Sequence, residues 1–128
     1  GLIGIAAAPD FSDWGFTQDQ KMALLRDGMI EEPNPYGPEP GRFYRGFWQS
    51  AESLRLLHAP INVPQPVRLL HGDNDQEVPV GVPIKLMQQL RSADVQLCLI
   101  KNGGHRLSEP HELYALKLAV AEMIAKLR

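Results

Sequence analysis

The order of apolar and polar positions divides the chain in two. In the first part, Gly1-Leu2-Ile3-Gly4-Ile5-Ala6-Ala7-Ala8 is a short, continuous apolar run. It predicts a buried strand that stops at Pro9-Asp10, because proline has no amide to continue a central ladder. Thr17-Gln18-Asp19-Gln20 has the form of a capping box and predicts a short helix to about Arg26, ended by Gly28. Between Glu31 and Gly41, the prolines at 33, 35, 38 and 40 exclude helix interior and central strand, which predicts an extended surface loop. The aromatic cluster Phe43, Tyr44, Phe47 and Trp48 leads into a short helix expected around Ser50 to Leu57, with Leu54 and Leu57 facing inward.

In the second part, strand and helix alternate. Val67-Arg68-Leu69-Leu70-His71 reads as a strand, residues 72 to 80 as a long turn, and the following stretch to about Arg91 as a helix with Pro83 in its first turn. Val95-Gln96-Leu97-Cys98-Leu99-Ile100 is nearly continuous in apolar character, which predicts a strand buried on both faces. Asn102-Gly103-Gly104 turns the chain into a last helix from about Glu109 to Leu127, with Ser108 as its cap. Leu113, Leu116, Val120, Ile124 and Leu127 would form the inward face of that helix, and Lys117, Glu122 and Lys126 the wet one. The alternation predicts an α/β class with parallel strands and flanking helices. Residues 1–9 are assigned to a core strand, 10–62 to a cap insertion and 63–128 to the C-terminal core.

Composition narrows the function classes. With 128 residues, 44% of them hydrophobic and 22% charged, the chain can bury one modest core. A formal net charge of −2 and the lack of any basic run argue against nucleic acid, a membrane surface or a polyanionic substrate. Cys98 is the single cysteine, so neither a disulfide framework nor a cysteine-based zinc site is open, and a reducing compartment fits. That suggests the cytoplasm, with the mitochondrion as the alternative. No apolar stretch is long enough to span a bilayer. The opening Gly1 and the strand that follows it read as the middle of a domain, so any targeting signal is expected upstream.

Function in open parallel sheets collects in loops at the carboxyl ends of the strands. Two such loops carry ionisable groups: His71-Gly72-Asp73-Asn74-Asp75-Gln76-Glu77-Val78-Pro79 and Asn102-Gly103-Gly104-His105-Arg106. A histidine acting as general base needs a carboxylate on one ring nitrogen to fix its tautomer and stabilise the imidazolium. The order of acid before histidine, with His71-Gly72, Asp75 and Val78-Pro79 forming HGxxDxxVP and Gly104-His105 in the next loop, resembles the α/β-hydrolase fold family. The resemblance implies Asp75 as the acid and His105 as the base. Ala8-Pro9-Asp10-Phe11, Asp27-Gly28, Glu32-Pro33, Pro35-Tyr36 and Gly104-His105-Arg106-Leu107-Ser108 are similar to one branch. It is the acyl-protein thioesterase and mycophenolic acid acyl-glucuronide esterase group with its bacterial relatives. That branch implies an acyl ester or acyl thioester substrate, with an S-acylated protein as a further candidate, and no cofactor.

The family's G-x-S-x-G nucleophile elbow does not occur in these residues. Ser12, Ser50, Ser53, Ser92 and Ser108 lack its glycine-flanked setting, so the serine and the oxyanion hole are expected from an N-terminal half, without which the chain is silent. Taken alone, Asp75 could simply stabilise a turn; its pairing with His105 favours catalysis, and Asp73 and Glu77 miss the motif position. His71 reads as closing its strand through a local hydrogen bond, and His58 and His111 as surface residues. No residue pair shows metal-ligand spacing. Trp14, Phe16, Phe43, Phe47 and Trp48 could line an acyl pocket or only anchor the cap. Two rivals stand beside the esterase reading: another chemistry on the same fold, such as a lyase or peroxidase, and a non-catalytic binding domain.

Overall fold

The computed structural model describes residues 1–127. They form two compact units, one of residues 1–9 with 56–127 and one of residues 10–55. In the first unit, β1 (Leu2–Ile5), β4 (Val67–Gly72) and β5 (Val95–Ile100) make a parallel sheet in the order β1-β4-β5. The helices of this unit are α4 (Gly81–Gln89) and α5 (Pro110–Lys126). The strands are in register from Leu2↔Val67 and Val67↔Val95 onward, so β4 and β5 end side by side at Gly72↔Ile100.

Strand β4 lies between its neighbours and all six of its residues are buried. Its alternating side chains face two surroundings. On one side Val67 and Leu69 pack with Leu90, against Ile61, Val63, Leu86, Met87, Val95 and Leu97. On the other, the buried Arg68 is fully occupied by charge-assisted bonds: its Nε and one terminal nitrogen reach the Glu122 carboxylate at 3.1 and 2.7 Å, and the other terminal nitrogen reaches Asp94 Oδ1 at 2.8 Å. These bonds fasten α5 to the central strand. Arg68 hydrogen-bonding holds the Asp94 and Glu122 carboxyls below their ordinary values of 3.8 and 4.5.

The outer strands are less covered than their sequence suggests. β5 alternates between half-buried and exposed, with Leu99 45% exposed, because it forms one edge of the sheet. β1 forms the other edge and leaves Leu2 and Ile5 exposed. In α5 the covered row is Glu112, Leu116 and Met123, so Leu113, Val120, Ile124 and Leu127 lie outward, contrary to the expected face. The Arg68–Glu122 fork sets that rotation, since it turns Glu122 toward the sheet. The cap also differs. Pro110 is the first helical residue and holds Glu109 extended (φ −70°, ψ 153°), so Glu109, not Ser108, forms a capping box with Glu112.

In the second unit, α1 (Phe11–Trp14), α2 (Gln18–Asp27), β2 (Met29–Glu32), β3 (Gly41–Tyr44) and α3 (Arg45–Glu52) follow in order. The expected capping box at Thr17 and Gln20 opens α2, and Gly28, with φ 82°, ends it. β2 and β3 pair antiparallel, so Glu31, Glu32 and Gly41 belong to a ribbon and only the proline-bearing segment 33–40 is loop. The helix expected at 50–57 runs instead from Arg45, because Phe47 packs on Phe11 at 5.8 Å and Trp48 Nε1 donates to the Ser12 carbonyl at 3.0 Å. Leu54 consequently lies outside it and is exposed.

Two glycines join the loops that follow β4 and β5. A Cβ on Gly72 would lie 2.1 Å from the Gly103 carbonyl oxygen, and one on Gly103 would lie 2.9 Å from Gly72 Cα. Neither glycine uses positive φ; it is Asn102 that takes the left-handed conformation, at φ 61°. The contact is sewn by Asp73 N to the Ile100 carbonyl (3.1 Å), Asn74 N to the Gly103 carbonyl (3.0 Å) and Asn102 N to Asp73 Oδ1 (2.6 Å).

Gly72→Ala is expected to destabilise the chain by about 3 kcal/mol or more, because backbone rather than a flexible side chain must move, whereas Gly104→Ala, with open space around it, should cost far less. Urea titration of the two variants checks this. Arg68→Leu should lower the urea midpoint at neutral pH. Carboxyls with depressed folded values add stability above their ordinary values and lose it as pH falls through the lowered ones, so the deficit of Arg68→Leu should shrink below about pH 4.

Candidate active site

Asp75 and His105 meet because the two loops meet. Asp75 lies three residues beyond the end of β4, in a turn closed by its own side chain: Oδ1 accepts from the amides of Glu77 (2.8 Å) and Val78 (2.9 Å). That leaves Oδ2 for His105 Nδ1 at 3.0 Å. The Asp75 side chain is fully buried and that of His105 is 35% exposed, so the imidazole carries the charge partner out to solvent. Burial alone pushes the Asp75 carboxyl up, but the Val78 amide, His105 and the Glu77 amide outweigh it and hold it below the ordinary carboxylate value. Asp75 is therefore a carboxylate at neutral pH, as a group that orients a base must be.

With Nδ1 engaged, His105 has Nε2 left for proton transfer. In this structure Nε2 lies 3.1 Å from Glu77 Oε2, a side chain 59% exposed. Glu77 thus reaches Nε2 of the imidazole and not the Nδ1 held by Asp75, a contact that motif position alone does not reveal. Asp73, the other competing carboxylate, is used by the Asn102 amide and stays out of the pair. In the histidine loop Leu107 is buried and takes the left-handed conformation at φ 47°. Beside it is a cavity of about 500 Å³ lined by Lys101, His105, Arg106, Ser108 and His111 among others.

His71 is where reading by motif falls short. It makes the local bond expected of it, Nε2 to the Val78 carbonyl at 3.0 Å, but the same nitrogen is also 3.5 Å from Asp75 Oδ2. Its position in β4, two residues after Leu69 on the core row, was the available signal. His58 and His111 are exposed.

The aromatic candidates gather in the second unit. Phe16 is buried and meets Phe43 edge-on at 5.2 Å; Phe43 and Phe47 are 6.4 Å apart. Trp14 and Trp48 are half-buried, and Phe47 is 53% exposed. Among the described residues there is no group of three or more side chains able to hold a metal ion, and no helix is long and apolar enough to cross a membrane.

The chain is similar in sequence and in fold to known proteins. The chain is 34% identical over 98% of its length to the mitochondrial palmitoyl-protein thioesterase ABHD10 of Bos taurus, and 33% identical, again over 98%, to its counterpart in Homo sapiens. It spans 42% of the length of each. Alpha/beta hydrolase domain-containing protein 10 from mouse superposes with a TM-score of 0.86 at 33% identity, over 99% of this chain and 52% of that one. The monoacylglycerol lipase of Paleococcus ferrophilus, at 14% identity and a TM-score of 0.60, shares the fold. A model of the prolyl oligopeptidase family matches residues 3–122. The chain therefore belongs to the prolyl oligopeptidase family, and its sheet and helices are the C-terminal part of an α/β-hydrolase fold.

Proposed function

We propose that this chain is the acid–base part of a serine hydrolase that cleaves acyl esters or thioesters. The observation that carries the reading is the buried Asp75 carboxylate 3.0 Å from His105 Nδ1, at the carboxyl ends of adjacent parallel strands. In that role His105 Nε2 takes the proton of a serine hydroxyl as it attacks the acyl carbonyl, and returns it to the leaving oxygen or sulfur. Asp75 holds the ring by Nδ1 and stabilises the imidazolium. Water then repeats the cycle on the acyl-enzyme. Glu77, its side chain 59% exposed, gives up Nε2 to the serine.

The serine is assigned to residues outside these 128, since none of the five serines here has the glycine-flanked setting that exposes a nucleophile. On this reading the chain alone is inactive. The palmitoyl-thioesterase names of the relatives favour an acyl thioester, small or protein-borne, and their mitochondrial designation favours the mitochondrion over the cytoplasm.

The test is hydrolysis of a short-chain nitrophenyl ester and of a palmitoyl thioester by the coding region extended upstream, beside His105→Ala and Asp75→Asn. Each substitution should lower kcat by at least about 10³-fold, with KM little changed. Activity that survives both would remove the dyad and leave an α/β binding domain.

A further inference from the structure

Val78 is bonded at both ends of its peptide unit to groups of this site. Its amide donates to Asp75 Oδ1 at 2.9 Å, and its carbonyl accepts from His71 Nε2 at 3.0 Å. His71 stands on β4, inside the sheet, and none of its side chain is exposed. The bond to a carbonyl places the ring proton on Nε2, and Nδ1, buried with no hydrogen-bond partner, has nothing to donate to. That same Nε2–H edge faces Asp75 Oδ2 at 3.5 Å, the oxygen that receives His105. A buried imidazole with one orphaned nitrogen is a costly way to close a turn. A cheaper residue would serve if the turn were all it closed.

We propose that His71 is a positioning residue for the catalytic acid, an inference that rests on the Asp75–His105 reading above. By pinning the Val78 carbonyl to the central strand it fixes the amide on which Asp75 Oδ1 rests, and with its N–H edge it limits the swing of Oδ2. The line of force runs from β4 through His71, Val78 and Asp75 to His105. A tilt of the carboxylate moves the imidazole with it, and misplacement of a catalytic group by about 1 Å can cost on the order of 100-fold in rate.

The experiment uses the upstream-extended protein with His71→Leu, which removes the donor, His71→Gln, whose amide reaches where Nε2 does, and His71→Asn, whose amide falls short. Leu69→Ala, which hollows the same row of β4 without a bond to Val78, controls for lost stability. Rates are normalised to folded protein, and the downfield proton resonance of the Asp75–His105 hydrogen bond, identified by its loss in His105→Ala, is followed alongside. His71→Leu and His71→Asn should lower kcat about 10- to 100-fold with KM within about twofold, and should shift or erase the resonance. His71→Gln should recover most of both, and Leu69→Ala should leave both near the parent.

Should His71→Leu fail to fold, the Gln and Asn variants still decide. Equal rates and resonances in those two overturn the proposal, as does a loss in His71→Leu no greater than in Leu69→Ala. If the parent enzyme is itself indifferent to His105→Ala and Asp75→Asn, the dyad reading has failed, and this inference fails with it for a separate and visible reason.

Discussion

Close backbone contact between Gly72 and Gly103 is the constraint on which the site depends. A hydrogen bond from Asp75 to His105 requires that two loops thirty residues apart in sequence sit within side-chain reach. Parallel pairing of β4 and β5 brings the strand ends level but leaves the loops free to diverge. Gly72 and Gly103 close that gap, because the missing Cβ atoms let main chain touch main chain. Three amide hydrogen bonds then lock the contact, and the reach left over is one aspartate and one imidazole. The glycines of the motif are therefore spacing elements rather than turn formers, and the left-handed residue of the second loop is Asn102.

Two of the charges buried around β4 are treated differently. Arg68 is met by two carboxylates that are themselves partly exposed, so the pair keeps a solvated side and serves as a fastener between strand and helix. Asp75 is enclosed, and its charge is compensated by two amides and one imidazole that faces solvent. The first arrangement spreads one buried charge over two carboxylates on different elements. The second divides the work between the two oxygens, Oδ1 taking the amides of its own turn and Oδ2 the imidazole.

Much of this was legible in the sequence. The strand–helix alternation after Val67, the capping box at Thr17 and the approach of Asp75 to His105 all follow from local patterns that neighbouring structure reinforces. What was not legible depends on partners distant in sequence. Apolar character alone could not say that β5 forms a sheet edge, so Leu99 reads as core and lies exposed. The face of α5 could not be read from its leucines, because a salt bridge to a buried arginine, and not hydrophobic periodicity, turns the helix. The start of α3 was hidden for the same reason, since Phe47 and Trp48 are drawn into the helix by contacts with Phe11 and Ser12.

His71 shows how these levels meet in one residue. Alternation along β4 places it on the row of Val67 and Leu69, where an apolar side chain is the default. An imidazole there must find a hydrogen bond or incur a desolvation cost of about 1–3 kcal/mol. The acid loop supplies that bond, which holds His71 to Val78 and the rim of Asp75. A polar residue at the end of a core row thus ties the rigid centre of the sheet to the group whose orientation matters most. The geometry of the acid loop is in this way an extension of the packing of the strand.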